Sequence, residues 1–212
     1  MAQAGTYPPS STRLVLLRIR RQYAIMVVMR YPDGHKDEVH ERIVRTTSQA
    51  LRSHGLGGIS IPALMKRAGL THGGFYTHFR DRDALVAEAI SAAANETAEH
   101  VFGDDLELAG VLDRYLSRSH LDHPTQGCVL AALGTDGARQ PAPVQRAFSE
   151  AARGMLRLLE RKLHPKKPTA SLSDETLARA STMIGAVVLG RLVNDSPLAD
   201  RILAAARRHA SD

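Results

Sequence analysis

After residue 35, apolar residues recur at three- and four-residue steps, the spacing of one helical face. Val39, Ile43, Thr47, Ala50 and Leu51 share a face. Asp37, Glu38 and Glu41 lie in the first turns, where the helix dipole favours acid, and Gly55, Gly57 and Gly58 end the run. This pattern predicts a helix over 36–54. Ser60 is placed to cap a second helix through its hydroxyl, with Pro62 in the first turn. That helix turns Ile61, Leu64 and Met65 inward and Lys66 and Arg67 outward, and Gly69 stops it. Thr71 is read as the cap of a third, very short helix with Phe75 and Phe79 on one face. Asp81 is read as the cap of a fourth, which runs through Leu85, Ala89 and Ala93 to about residue 100.

The helical pattern continues. Residues 104–121 read as one helix, broken by His123-Pro124, and 127–138 read as a short helix or turn-rich stretch. Val144, Ala147, Phe148, Ala151, Met155, Leu158, Leu159 and Leu163 make a long stripe, followed by a solvated break at Pro165-Lys166-Lys167-Pro168. Ser173 is placed to cap the next helix, with Asp174 and Glu175 in its first turn. Ser196-Pro197 opens the last, which ends near His209. No strand-like alternation persists over five residues and no internal repeat is present. The expected architecture is all-α with about nine helices. The first thirty residues read differently. Residues 7–12 are disorder-prone in composition. Residues 13–29 mix arginine with aliphatics, compatible with a basic amphipathic helix but lacking acid and a defined stop. Met26 and Met29 are alternative starts. Residues 1–34 are therefore expected to be an extension, disordered or carrying a mis-assigned start.

The 212 residues suffice for one ordinary domain or two small ones, and 43% are hydrophobic, enough for a real core. Trp is absent, so Leu, Ala, Val and Ile must fill that core. A net charge of +6 and a pI near 9.8 suit a polyanionic partner, nucleic acid or an anionic membrane surface. The single cysteine, Cys128, excludes an intrachain disulfide and fits a reducing compartment. No apolar run reaches the ~18–20 residues of a membrane span. The run from Tyr23 to Met29, behind Arg18, Arg20 and Arg21, loosely mimics a signal peptide. Arg30-Tyr31-Pro32-Asp33 follows it in place of a small-residue cleavage site. A cytoplasmic protein without a membrane partner is expected.

The informative stretch is 60–79, Ser-Ile-Pro-Ala-Leu-Met-Lys-Arg-Ala-Gly-Leu-Thr-His-Gly-Gly-Phe-Tyr-Thr-His-Phe. Two short helices meeting at Ala68-Gly69-Leu70 have the layout of a helix-turn-helix. Residues 42–80 contain no Asp or Glu but hold Arg42, Arg45, Arg52, Lys66, Arg67 and Arg80, a distribution a phosphate backbone rewards. Gly73-Gly74 costs a helix about 1 kcal/mol per glycine relative to Ala. Close approach of the backbone to DNA is the functional reason to keep them; a loop that only looks helical is the alternative. Gly69-Leu70-Thr71-His72-Gly73-Gly74-Phe75-Tyr76-Thr77-His78-Phe79, followed by Arg82-Asp83-Ala84-Leu85, resembles the signature of TetR-type (TetR/AcrR) transcriptional regulators. The likeness reaches back to Arg42-Ile43-Val44, and 101–212 match more loosely.

The resemblance implies a helix-turn-helix DNA-binding domain over 35–100, with the motif at 60–79 and a linker helix at 81–100. Behind it, 101–212 would be the regulatory and dimerisation domain. Ser60 and Tyr76 would contact phosphate, Thr71, His72, Gly73 and Gly74 would face the groove, and Thr77 and His78 would lie at its edge. Arg82 would form a phosphate clamp, and Phe75 and Phe79 would be core. It further implies a homodimer on a palindromic double-stranded operator, a small-molecule effector, and repression rather than activation. No cofactor is implied. The helix near 177–193 is apolar on nearly all sides, as a helix buried on more than one side must be. The resemblance makes Ile184, Val188 and Leu192 dimer contacts; a central position in the monomer core is the alternative.

Residues 115–139 hold His120, Asp122, His123 and Cys128. These are metal-ligand types, but their spacing is not that of a paired-ligand zinc site, and Asp122 is more simply read as capping a turn before Pro124. No metal is expected. Cys128 reads as a small buried hydrophobe, or as a reactive thiol sensing oxidants or electrophiles, with His120, His123 and Arg139 as neighbours in space. Cys128 and His120 are thus the effector or sensor candidates. No catalytic constellation or phosphate loop stands out, so an enzyme is not expected. The other classes carried are a redox or electrophile sensor through Cys128 and a basic membrane-surface protein anchored by 13–29.

Overall fold

The computed structural model describes residues 13–17, 25–29, 35–166 and 171–211. The chain divides into two compact units, Met1–His40 and Glu41–Asp212. In the first, Arg13–Leu17 (β1) and Ile25–Met29 (β2) pair antiparallel, Arg13 opposite Met29 and Leu17 opposite Ile25. This replaces the basic helix read over 13–29: pentads rich in Val, Ile and Leu suit a pleated pair. The rest of the extension expected over 1–34 falls outside the described residues.

From residue 35 onward the described chain is all-α, with ten helices rather than about nine. They are α1 (His35–His54), α2 (Ile61–Arg67), α3 (Phe75–His78), α4 (Arg82–Val101) and α5 (Leu108–Tyr115), then α6 (Arg118–Asp122), α7 (Val129–Gly137), α8 (Ala142–Leu163), α9 (Asp174–Leu192) and α10 (Ser196–Ser211). The extra helix arises where 104–121, expected as one element, breaks at Leu116. Ser117 takes an extended conformation, its hydroxyl donates to the Arg114 carbonyl, and it accepts the His120 N–H to start α6. The break read at 165–168 lies partly outside the described residues.

Local chemistry explains three further starts. Ser60, Asp81 and Ser173 each accept the backbone N–H three residues on, from Ala63, Ala84 and Thr176, satisfying orphan donors of the first turn. α2 ends where Gly69 adopts φ +73, a left-handed conformation that lets the Leu70 N–H reach back to the Met65 carbonyl at 2.9 Å. At Gly58 a β-carbon would lie 1.9 Å from the His54 carbonyl oxygen, so the turn out of α1 closes only on glycine.

Ile43, Thr47, Ala50 and Leu51 of α1 are buried, as are Leu64 and Met65 of α2 and Phe75 and Phe79. The two phenylalanine rings stack at 5.7 Å. α4 then packs along α8, α8 on α9 and α9 along α10, with α7 against α4, α8 and α9. The C-terminal core centres on Tyr115, Leu116, Leu159, Met183 and Val187. Glu160 is buried at the α8–α9 junction. It accepts from the Thr176 hydroxyl and from the N–H and hydroxyl of Ser173, and these bonds hold its carboxyl below the usual range. α4 has its N-terminus at the 60–79 motif and its C-terminal half against α8, so one rigid element joins the two.

The left-handed turn after α2 gives a direct test. Gly69→Ala should cost about 1 kcal/mol of unfolding free energy in urea titration, because a β-carbon is strained at that φ; an unchanged midpoint would mean the turn does not need its glycine.

Candidate nucleic-acid interface and effector cavity

The 60–79 segment forms two short helical pieces across the Gly69 turn. After α2, Thr71 takes the extended cap position, His72–Gly74 makes one 3-10 turn, and α3 follows. The Thr71 hydroxyl makes no capping bond, contrary to the sequence reading; the turn is closed instead by the Gly74 N–H on the Thr71 carbonyl. Phe75 and Phe79 face the core, which turns Thr71, His72, Gly73, Tyr76 and Thr77 to solvent. Tyr76 is 65% exposed, packed edge-on against Phe75 and His72. Gly74 and His78 are half-buried, and Ser60 lies exposed at the start of α2.

Gly73 and Gly74 have no internal justification. Neither has positive φ. A β-carbon on Gly73 would meet nothing within 4 Å, and on Gly74 it would make only ordinary contact with Met65 at 3.7 Å. Both lie in the 3-10 turn ahead of α3 rather than within an α-helix, and nothing inside the chain requires glycine at either position.

Two cations differ from their sequence reading. Arg82 is half-buried and donates to the Leu56 carbonyl, so one arm of the expected phosphate clamp holds the loop between α1 and α2. Arg52, counted among the surface cations, is buried. Its guanidinium donates to the carbonyl and hydroxyl of Ser48 and to the Gly127 carbonyl at 2.9 Å, and pairs with Glu96 of α4. Arg42, Arg45, Lys66, Arg67 and Arg80 remain exposed, and Arg80 pairs with Asp81.

Gly127 leads into the second candidate region. Cys128 is buried and its N–H donates to His120 Nε2 at 2.9 Å, while His120 Nδ1 lies 2.6 Å from the Tyr115 carbonyl. A carbonyl only accepts and an N–H only donates, so this ring is the neutral Nδ1-protonated tautomer. Burial, and then the nearby Arg191 charge, push its pKa down. Arg191 donates to the His120 and Leu121 carbonyls at the end of α6. The Tyr115 phenol is buried beside the Cys128 thiol and is held protonated by that burial. The sequence reading missed Arg191 and Tyr115 as neighbours of Cys128. It named His123 and Arg139, which are exposed and engaged with the Ser119 carbonyl and with Asp136. Asp122 accepts from Arg118 rather than capping a turn. Among the described residues no group of three His, Cys, Asp or Glu side chains is placed to hold a metal ion.

Cys128 also lines a cavity of about 430 Å3 bounded by α4, the start of α7 and α8. On α9, Ile184 and Val188 are half-buried against the chain's own core, whereas Leu192 is 74% and Leu189 54% exposed; Leu177 of α9 and Leu198 of α10 are also exposed. No described helix is long and apolar enough to cross a membrane.

Residues 43–89 match the family model "Bacterial regulatory proteins, tetR family". No curated protein matches the sequence. Among solved structures, a TetR-family transcriptional regulator from Agrobacterium tumefaciens superposes with a TM-score of 0.65 at 16% identity, covering 82% of this chain and 98% of that one. A TetR transcriptional regulator from Chloroflexus aurantiacus gives 0.62 at 20% identity, with 84% and 96% covered. The reduced form of E. coli NemR gives 0.64 at 19% identity, with 82% and 95% covered.

The His120 geometry fixes a pH dependence. A buried histidine held neutral has its folded pKa below the unfolded value of about 6.5, so below that pH the unfolded chain takes up a proton the folded chain does not. Stability falls with pH until the folded pKa is passed. His120→Gln should melt lower than the parent near neutral pH, and the gap should narrow as the pH is lowered to about 5.5. A gap independent of pH would show that the ring is not held neutral.

Proposed function

We propose that this protein is a cytoplasmic, sequence-specific transcriptional repressor, released from its operator by a small effector; the reading is supported by the match of residues 43–89 to the tetR family model and by the fold shared with solved TetR-family regulators. Residues 35–100 serve as the reading head and 101–212 as the regulatory and dimerisation domain. The observation that carries the reading is the glycine pair. Gly73 and Gly74 form the 3-10 turn after Gly69, with open space outside Gly73 and only Met65 and Thr71 at van der Waals distance from a β-carbon on Gly74. A backbone that must come close to a phosphate or base edge accounts for both glycines.

Around that pair the exposed Thr71, His72, Tyr76 and Thr77 offer donors to a duplex, with Ser60 at the start of α2 and His78 at the edge. Arg82 acts chiefly by holding the loop ahead of α2, and its remaining arm is available to phosphate. Two such heads on a palindrome require a two-fold protein. The exposed leucines of α9 and α10 supply an apolar face for it, with Leu189 and Leu192 at its centre and Ile184 and Val188 at its base. Effector entry would alter the disposition of the heads through its differential affinity for two states. A second reading, a thiol sensor at Cys128, is favoured by one observation: that residue lines the cavity.

Duplex binding by fluorescence anisotropy, on sites selected from a random pool, tests the proposal. Affinity should fall steeply with salt. Tyr76→Phe should weaken binding by about 1 kcal/mol, roughly fivefold. Gly73→Ala should keep or raise the melting temperature while weakening binding; normal affinity in both variants would remove the contact assignments. No duplex binding at low salt together with binding to anionic vesicles would reject the regulator reading. If Cys128 is only structural, Cys128→Ser keeps the effector response, and loss of an oxidant response in that variant would select the thiol reading. Leu189→Asp with Leu192→Asp should shift the protein to a folded monomer in light scattering, and an unchanged dimer would place the interface elsewhere.

A further inference from the structure

The cavity between α4, α7 and α8 is built for one kind of ligand. Its volume of about 430 Å3 lies in the ~300–1,000 Å3 range of small-molecule sites. Its lining includes the buried apolar side chains of Phe102, Val129 and Met155 and the half-buried Leu158. The α4 hydroxyls of the lining offer a ligand no proton, because Ser91 donates to the Ala87 carbonyl at 3.2 Å and the buried Thr97 to the Ala93 carbonyl at 3.0 Å. The charged groups of the lining are Arg157 and Arg161, one turn apart on one face of α8, and Glu150 about two turns nearer its start. Neither arginine has a hydrogen-bond or ion-pair partner among the described residues. By contrast Arg179, Arg191 and Arg207, on α9 and α10, are each tied to a backbone carbonyl.

We propose that this cavity binds an amphipathic organic monoanion, a carboxylate on an apolar body of medium length. The carboxylate meets Arg157 and Arg161, whose planar guanidinium groups match it in shape and charge. The apolar body lies along Phe102, Met155 and Leu158. Glu150 repels a second acidic group at the other end of the opening, which selects against dianions. Binding itself is independent of DNA recognition; only its use to release an operator rests on the function proposed above.

Gly154 supplies a clean probe. It lies on the cavity wall between Glu150 and Arg157, and a β-carbon there would meet nothing within 4 Å. Gly154→Leu therefore adds apolar bulk to the cavity wall from a position whose β-carbon is unobstructed, at a helix position that prefers leucine to glycine.

The test uses the full chain without DNA, with calorimetric titration and thermal shift against octanoate, 1-octanol and octyltrimethylammonium. Octanoate should bind at least tenfold more tightly than the alcohol, and the cation should give no shift. Arg157→Gln with Arg161→Gln should keep the melting temperature of the free protein and reduce octanoate affinity about tenfold, to the level of the alcohol. Gly154→Leu should abolish binding at an unchanged or higher melting temperature. The proposal is overturned if the alcohol or the cation binds as well as octanoate. It is equally overturned if either variant retains full octanoate affinity, or if none of the three probes binds. Octanoate binding by a protein that binds no duplex would leave this proposal standing and remove the regulator reading; duplex binding without octanoate binding would do the reverse.

Discussion

A guanidinium taken out of water must find partners for its charge and donors or it destabilises the fold. Arg52 meets that demand by drawing three separate parts of the chain to one point: its own helix through Ser48, α4 through Glu96, and the turn before α7 through the Gly127 carbonyl. The position of α1, on whose inner face part of the reading head's core is built, is thereby fixed to the far half of α4 and to the wall of the cavity. Glu96 stands between Asn95 and Thr97, which line that cavity, and Gly127 precedes Cys128, which also lines it. Moving any one of these groups alone would leave a buried charge short of a partner, so they move together or not at all.

The same logic runs through the C-terminal half. Arg191 holds the carbonyl end of α6, Arg207 the Leu116 carbonyl at the break between α5 and α6, and Lys162 the carbonyls of Gly103 and Leu106. Cations at helix ends and in connections offset the carbonyls that helix termination leaves over. This chain needs many of them, because α5, α6 and α7 are short and every short helix adds a terminus. The excess of basic residues that suggested a polyanionic partner is thus partly consumed inside the protein.

Features that depend on neighbours in sequence were legible before any coordinates. Ser60, Asp81 and Ser173 announce helix starts because a cap bonds three residues ahead, and Gly69 announces a turn because of its φ. The outward set Thr71, His72, Tyr76 and Thr77 followed from Phe75 and Phe79 occupying the opposite face. What depended on distant partners was not legible. Nothing local distinguishes Arg52 from Arg45, yet one is buried and the other exposed, and the difference lies in Glu96 and Gly127. The break at Leu116 was hidden because Leu108, Val111, Leu112, Tyr115 and Leu116 keep helical spacing up to it and neither Gly nor Pro marks it. The all-round apolar character of α9 pointed to burial on more than one side but did not tell which side stays open; Leu192 is exposed together with Leu189, while Ile184 and Val188 are half-buried against the chain's own core. The strand pair at 13–17 and 25–29 escaped because 14–17 and 25–29 are continuous short apolar runs, whose periodicity does not distinguish strand from helix.

The cavity wall is made largely of side chains that are small or absent: Ala94, Ala98, Ala151 and Gly154. Its capacity is set by what those four positions lack. Each lies within a long helix anchored elsewhere, so a larger residue there reshapes the cavity without touching a cap, a buried charge or the reading head. The shape of the cavity can therefore drift by single substitutions while the 60–79 segment stays constant. Related chains that keep that segment and differ at these four sites would carry cavities of different size behind the same helix-turn-helix.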